Sequence, residues 1–285
     1  MTISIVCPTR NRAELWRSGW LLDSLAAQSR PPDELIIAID HTEDDTLPTL
    51  AKKLERDRFP TPTRIITVEA PRPGPFPASG QPDNCLFHNA TSDIILHVDD
   101  DIALPVDCLK RTEVYFETLP NIAVWYPMTF VDANRQPIKE GQDWRIEYAK
   151  KFRWKKGPCG LVAPHPAATG ATGAIFAVLT SAIRAIGGHE VRCFGYHNQD
   201  TILGTRLSCF CSGGTFLAMS PATSALHFGP TWHVQNIANK QAFSTAYIQT
   251  RLQSIIANGG DKYWQTEFWK SAYSVAHTHT LTRRR

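Results

Sequence analysis

Asp93-Ile94-Ile95-Leu96-His97-Val98-Asp99-Asp100-Asp101 is an apolar run that leads straight into three carboxylates. It is too short for a helix, so it predicts a buried strand with its chemistry at the carboxyl end. Three adjacent aspartates there are costly, because like charges at that spacing repel and raise each other's pKa. A hard divalent cation removes the conflict. Mg²⁺ and Mn²⁺ suit oxygen ligands, and magnesium is usually held by one or two carboxylates plus phosphate oxygens. Strand alternation would set Asp99 and Asp101 on one side and Asp100 on the other. The same three residues also suit a solvated acidic turn or a helix cap ahead of Pro105.

The flanking sequence repeats the strand theme. Ile3-Ser4-Ile5-Val6-Cys7 is a strand ended by Pro8, and Leu15 to Ala27 has helical apolar spacing. Glu34 to Ile39 is a second strand closed by Asp40, Leu47 to Arg56 a helix, and Arg64 to Val68 a third strand. Residues 71 to 82 are rich in Pro and Gly and read as an irregular loop before a helix from Asn84 to Thr91. Beyond the aspartates a helix is expected over Asp107 to Thr118 and a strand over Ile122 to Tyr126. Strands alternating with helices and apolar on both faces predict an α/β fold with a mainly parallel central sheet flanked by helices.

From about 132 to 169 the rhythm breaks, as in an inserted or variable subregion. It resumes with a strand at Ala174 to Leu179, a short helix ending at Gly187-Gly188, a helix from Asp200 to Leu207 and a strand at Thr215 to Met219. His227 ends a further strand-like segment. A polar loop then precedes two amphipathic helical patterns, Phe243 to Ile256 and Tyr263 to Val275, which predict a C-terminal helical extension.

Composition narrows the class. The 285 residues are 42% hydrophobic and 20% charged, with a net charge of +3, so a packed core is available and there is no strong nucleic-acid signal. No stretch approaches the ~20 apolar residues that span a bilayer, and the chain enters a strand pattern at Ile3 with no signal-peptide core. The seven cysteines contain no CxxC pair, and Cys209 and Cys211 read as small buried thiols. A soluble protein in a reducing cytoplasm is the expectation.

On these residues the chain resembles glycosyltransferase family 2. The family's IPTYNR-like opening is similar to Ile5-Val6-Cys7-Pro8-Thr9-Arg10-Asn11-Arg12, followed by Gln28 and the Ile36-Ile37-Ala38-Ile39-Asp40 strand. Asn84 lies at the family's spacing from Asp99, and Gly187-Gly188, Gln199-Asp200 and Arg206-Leu207 resemble its GG, ED and RL segments. The chain departs from the pattern at Asp83, Leu86 and Gln199, which stand where the family has Arg, Gly and Glu.

The resemblance covers about residues 2 to 228 and implies a GT-A, Rossmann-like domain over 1–228. Residues 1–105 would form its nucleotide-binding half and 106–228 its acceptor half, with 229–285 a lid loop and helical extension. It implies a nucleoside-diphosphate sugar donor, a uridine nucleotide first, and a hydroxyl acceptor. Asp40 would bind the uracil, while Pro8, Thr9, Asn11 and Arg12 line the nucleotide. Asn84, Asp100, Gly187 and Gly188 would complete the donor site. Asp101 would be the principal ligand of Mn²⁺ or Mg²⁺, with Asp99 on the ribose or the metal. His227 is a further candidate ligand and His233 its alternative. Asp200 matches the base of inverting relatives; the same carboxylate also suits a helix cap.

Trp144, Lys150, Lys151, Arg153, Trp154, Lys155 and Lys156 fall in the acceptor half, where a glycan or anionic acceptor would suit them as well as an ordinary solvated basic face would. Trp264, Trp269 and the final Arg283-Arg284-Arg285 allow at most a peripheral contact with the inner face of a membrane. Three rival classes share parts of the pattern. A nucleotidyltransferase would normally carry a Gly-rich phosphate loop, and none lies between Val6 and Leu15. A metal phosphoesterase would have no use for the Asn84 and Asp200 spacing. A sugar-nucleotide binding module without catalysis would keep the site but not need Asp200.

Overall fold

Alternating burial explains the framework. Leu35, Ile37 and Ile39 pack on one side of the sheet with Ile3, Ile5, Cys7 and Leu96. Ile36 and Ala38 pack on the other with Val6, Ile66 and Ile95. Strands apolar on both faces need helices on both faces, and the chain supplies them. The computed structural model describes residues 1–40, 43–57, 59–68, 80–118, 121–126, 128–131, 136, 174–189, 203–204, 206–207, 216–219, 225–228 and 276–281.

In chain order the described elements are β1 (Ile3–Thr9), α1 (Ala13–Ser18), α2 (Trp20–Ala26), β2 (Glu34–Asp40), α3 (Thr46–Arg56), β3 (Thr63–Val68), α4 (Gly80–Asn89), β4 (Ile94–Val98), β5 (Ile102–Ala103) and α5 (Cys108–Thr118). Then come β6 (Asn121–Trp125), β7 (Met128–Val131), β8 (Ile175–Leu179), α6 (Thr180–Ala185), β9 (Phe216–Met219), β10 (Ala225–Phe228) and β11 (Ala276–Leu281). Eight strands form the main sheet in the order β11-β3-β2-β1-β4-β8-β6-β9. β3, β2, β1 and β4 are parallel, β6 and β9 run with them, and β8 and β11 run against. β5, β10 and β7 make a small second sheet.

One face is covered by α1, α2, α3 and α5 through Trp16, Leu21, Leu25, Leu50, Cys108 and Leu109. The other is covered by α4 and α6 through Leu86, Phe87, Ala182 and Ile183. Gln28 ties this frame to the carboxylate end: its amide donates to the Pro105 carbonyl at 2.7 Å and accepts from the Leu109 amide at 3.2 Å.

The structure differs from the sequence expectation in several places. The helix expected over Leu15 to Ala27 is two helices, because Gly19 takes a left-handed conformation (φ 76°) that ends α1 and begins α2. α4 starts at Gly80, inside the stretch expected as loop. Alternation does not continue through Asp99-Asp100-Asp101: β4 stops at Val98, and the Ile102 amide bonds back to the Asp99 carbonyl at 3.2 Å, so the aspartates form a turn. The last described stretch, β11, is an edge strand antiparallel to β3. The amphipathic patterns at 243–256 and 263–275 and the basic, Trp-bearing stretch at 144–156 lie outside the described residues.

Candidate functional site

Parallel strands deliver their chemistry at their carboxyl ends, and the three central ones here each end on a residue singled out above. Asp40 closes β2, Thr9 closes β1, and Asp99 follows β4. Two loops are stitched together above them. The Arg12 amide donates to Thr46 Oγ1 at 2.9 Å, and the Glu43 amide donates to Asn11 Oδ1 at 3.0 Å. Asn11 itself has positive φ (49°), a conformation Asn tolerates better than most residues. Arg10 Nη1 lies 3.9 Å from the buried Asp40 carboxylate.

Asp100 points into this loop. Its Oδ2 accepts from Thr9 Oγ1 at 2.5 Å, its Oδ1 lies 3.9 Å from Arg12 Nε, and Thr9 Oγ1 in turn accepts from Trp16 Nε1 at 2.9 Å. Asp100 therefore fastens the strand tip to the β1 loop. Burial, its neighbour Asp101 adding to it, raises the Asp100 carboxyl to about 6 against the pull of Arg12 and Thr9. Partial burial raises the Asp99 carboxyl as well, reinforced by Asp101, Asp100 and Asp83 and opposed by His97. Asp101 is 5% exposed, whereas Asp99 is only half-buried. Carboxylates crowded into low dielectric are the setting in which a bound cation relieves the most repulsion.

The second sheet brings a distant residue to the same place. β10 pairs antiparallel with β5 so that His227 stands opposite Ile102, the residue after Asp101. Among the described residues, no three acidic, His or Cys side chains by themselves form an ion-holding group. Two carboxylates completed by a ligand's phosphate oxygens is the arrangement magnesium ordinarily takes, so the donor set fits that ion.

Asn84 and the glycine pair meet on the other side of β4. α6 ends in a Schellman turn: the Gly188 amide donates to the Ile183 carbonyl and the Gly187 amide to that of Arg184, with φ of 67° and 78°. Both ends of the Asn84 amide bond the main chain of the next residue, His189, at 2.7 and 3.0 Å. In this structure Asn84, Gly187 and Gly188 build one turn. Asp200 and His233 lie outside the described residues.

Two buried residues near the site escaped sequence reasoning, His97 and His189. Their signal was available: a histidine in an otherwise apolar strand and an acid, Asp83, where the resemblance calls for arginine. His97 Nε2 is 3.0 Å from Asp83 Oδ1, so each departure accounts for the other.

A parallel sheet with a reversed strand beside β4, carboxylates at the strand tip and a small sheet hung on the acidic turn defines a GT-A glycosyltransferase domain. The chain belongs to glycosyl transferase family 2, whose family model matches residues 4–171. That membership sets aside the nucleotidyltransferase and phosphoesterase readings. No curated protein sequence matches the chain.

Among solved structures, TarS 1-349 of S. aureus in complex with UDP-GlcNAc superposes with a TM-score of 0.63 at 15% identity, covering 93% of this chain and 68% of that one. Mannosyltransferase PcManGT from Pyrobaculum calidifontis, in complex with GDP-Man and Mn²⁺, gives 0.61 at 16% identity, covering 91% and 65%. A further structure of S. aureus TarS 1-349 gives 0.57 at 17% identity, covering 80% of this chain and 60% of that one. At such identities the likeness is one of fold.

Proposed function

We propose that this protein is a metal-dependent, inverting glycosyltransferase that moves a sugar from a nucleoside-diphosphate sugar to a hydroxyl acceptor. The observation that carries the reading is the convergence of Asp40, the Thr9–Arg12 loop and the Asp99–Asp101 turn at the carboxyl ends of adjacent parallel strands. UDP-GlcNAc and GDP-Man in the relatives support a nucleotide-sugar donor, and Mn²⁺ in one of them supports a divalent cation. Asp101 and Asp99 would hold Mn²⁺ or Mg²⁺, with His227 a further candidate on β10. Bound there, the cation would supply positive charge to the departing diphosphate. Asp40 and the β1 loop would bind the nucleoside, a uridine first. Asp200 would take the proton from the acceptor hydroxyl, and a single displacement would invert the anomeric centre.

No helix among the described residues is long and apolar enough to cross a membrane. The described cysteines Cys7, Cys85 and Cys108 are buried free thiols, which suits a reducing, cytoplasmic setting.

A thermal-shift screen of nucleoside diphosphates with and without Mn²⁺ tests the site, because a ligand that binds only the folded state raises its stability. We expect a manganese-dependent rise with at least one nucleotide, lost in Asp101→Ala. No shift with any nucleotide, or an undiminished one in the variant, would remove the assignment.

A further inference from the structure

Behind the acidic turn lies a buried polar cluster that neither donor nor metal accounts for. Asp83 (4% exposed) enters from α4, His97 (3%) from β4 and His189 (2%) from the turn after α6. Asp83 Oδ1 is 3.0 Å from His97 Nε2, and its Oδ2 is 3.8 Å from His189 Nε2. Aromatic rings wall the group in: Phe176 stacks on His97 with centroids 4.8 Å apart, and Phe87 on His189 at 5.5 Å. Burying such groups is costly unless they partner one another, and apolar packing of the same volume is commonly at least as stable. A connected polar network supplies a single geometry instead.

The geometry thus fixed belongs to two points of the chain at once. Asn84, the neighbour of Asp83, holds the main chain of His189 by both ends of its amide. The buried Arg206 donates from Nη1 to the Gly188 carbonyl at 3.0 Å. The chain therefore leaves this spot at Gly188-His189 and is fastened to it again at Arg206. Asp200 lies in the intervening sequence.

We propose that Asp83, His97 and His189, with Asn84 and Arg206, are positioning residues that anchor both ends of the Asp200-bearing segment to the back of β4, the strand that leads into the Asp99–Asp101 turn. The proposal rests on the reading of Asp200 as the base. It assigns the cluster no contact with the reacting atoms. Loosening the anchor should misplace the base while leaving the nucleotide and metal groups, at the tips of β1, β2 and β4, in place.

Two measurements on the full chain test it. The first compares amide hydrogen exchange of the unliganded wild type, Asp83→Ala and Asp83→Asn. Faster exchange confined to 188–207 is expected, larger in the alanine variant, since asparagine keeps one acceptor for His97. Unchanged exchange there, or uniform loosening that includes β1, β2 and β4, overturns the proposal. The second follows nucleoside-diphosphate release from UDP-GlcNAc and from GDP-mannose with Mn²⁺. For Asp83→Ala we expect kcat to fall by about 10²-fold, the cost of a misplacement near 1 Å, with KM held within about threefold. An unchanged kcat, or a loss carried wholly by KM, counts against it. Should the alanine variant fail to fold, the asparagine variant carries both readouts. A wild type that turns over neither donor would sink the donor reading, while the exchange comparison would still decide the anchor.

Discussion

Thr9→Val is the substitution whose outcome follows most directly from the geometry. The Thr9 hydroxyl donates to the buried Asp100 carboxylate and accepts from the buried Trp16 indole, and Thr9 is itself 5% exposed. Valine keeps the shape and removes both bonds, leaving a buried carboxylate oxygen and a buried N–H without that partner. A buried polar group so orphaned costs about 1–3 kcal/mol, and more when charged, so the pair should cost about 2–6 kcal/mol. Thr9→Ser keeps the hydroxyl and gives up one methyl group, worth about 1 kcal/mol. Urea unfolding followed by tryptophan fluorescence would read both, with unchanged m-values showing that stability alone has moved. Because the same hydroxyl fastens the β1 loop to the strand tip, Thr9→Val should also weaken the manganese-dependent nucleotide shift, whereas Thr9→Ser should retain it. Valine and serine variants of equal stability would refute the assignment of the hydroxyl as the tie.

Three further outcomes are expected. Burial pushes the Glu34 carboxyl up, but hydrogen bonds from the Ser4 hydroxyl, the Thr91 amide and hydroxyl, and Arg64 outweigh it, so its pKa is lowered from 4.5. The stabilisation is thus complete above the unfolded value and is lost as pH falls through the folded one. The stability gap between wild type and Glu34→Gln should be constant near neutrality and narrow below pH 4.5, as read by denaturation at a series of pH values. Gly19→Ala must adopt a left-handed φ of 76° and would set its Cβ 2.5 Å from Lys53 Nζ, so it should cost about 1–2 kcal/mol by thermal unfolding even if that flexible tip moves aside. Asp200→Ala should keep the manganese-dependent nucleotide shift yet lose transfer; full turnover in that variant would remove Asp200 from the mechanism.

The sequence discloses the sheet more readily than the site. The runs at Ile3, Glu34, Arg64 and Ile94 are legible because strands buried on both faces carry unbroken apolar residues, and the observed strands match them to within one or two residues. The acidic cluster is legible as a place of chemistry, since three adjacent carboxylates at a strand end are costly, but its turn geometry is not, because alternation was expected to run on through it. Short edge pairings were not visible. β5 has two residues, and β11 reads Ala-His-Thr-His-Thr-Leu, so neither has an apolar run to announce it. The Gly19 break was written in the sequence, yet the apolar spacing on either side of it is continuous and hides it. The Asp83–His97–His189 cluster joins residues far apart in the chain, and one-dimensional periodicity carries no record of such a meeting.

The pairing of β10 with β5 bears on how the domain is made. The parallel strands β1 to β4 can assemble from the first hundred residues, but the strand that flanks the acidic turn arrives only at residue 225. Contacts of such long range close late, after the loop entropy between them has been overcome. During synthesis the nascent chain would therefore hold the parallel strands with the β11 edge and the acidic-turn end both still open, and a truncation ahead of Ala225 would freeze it there.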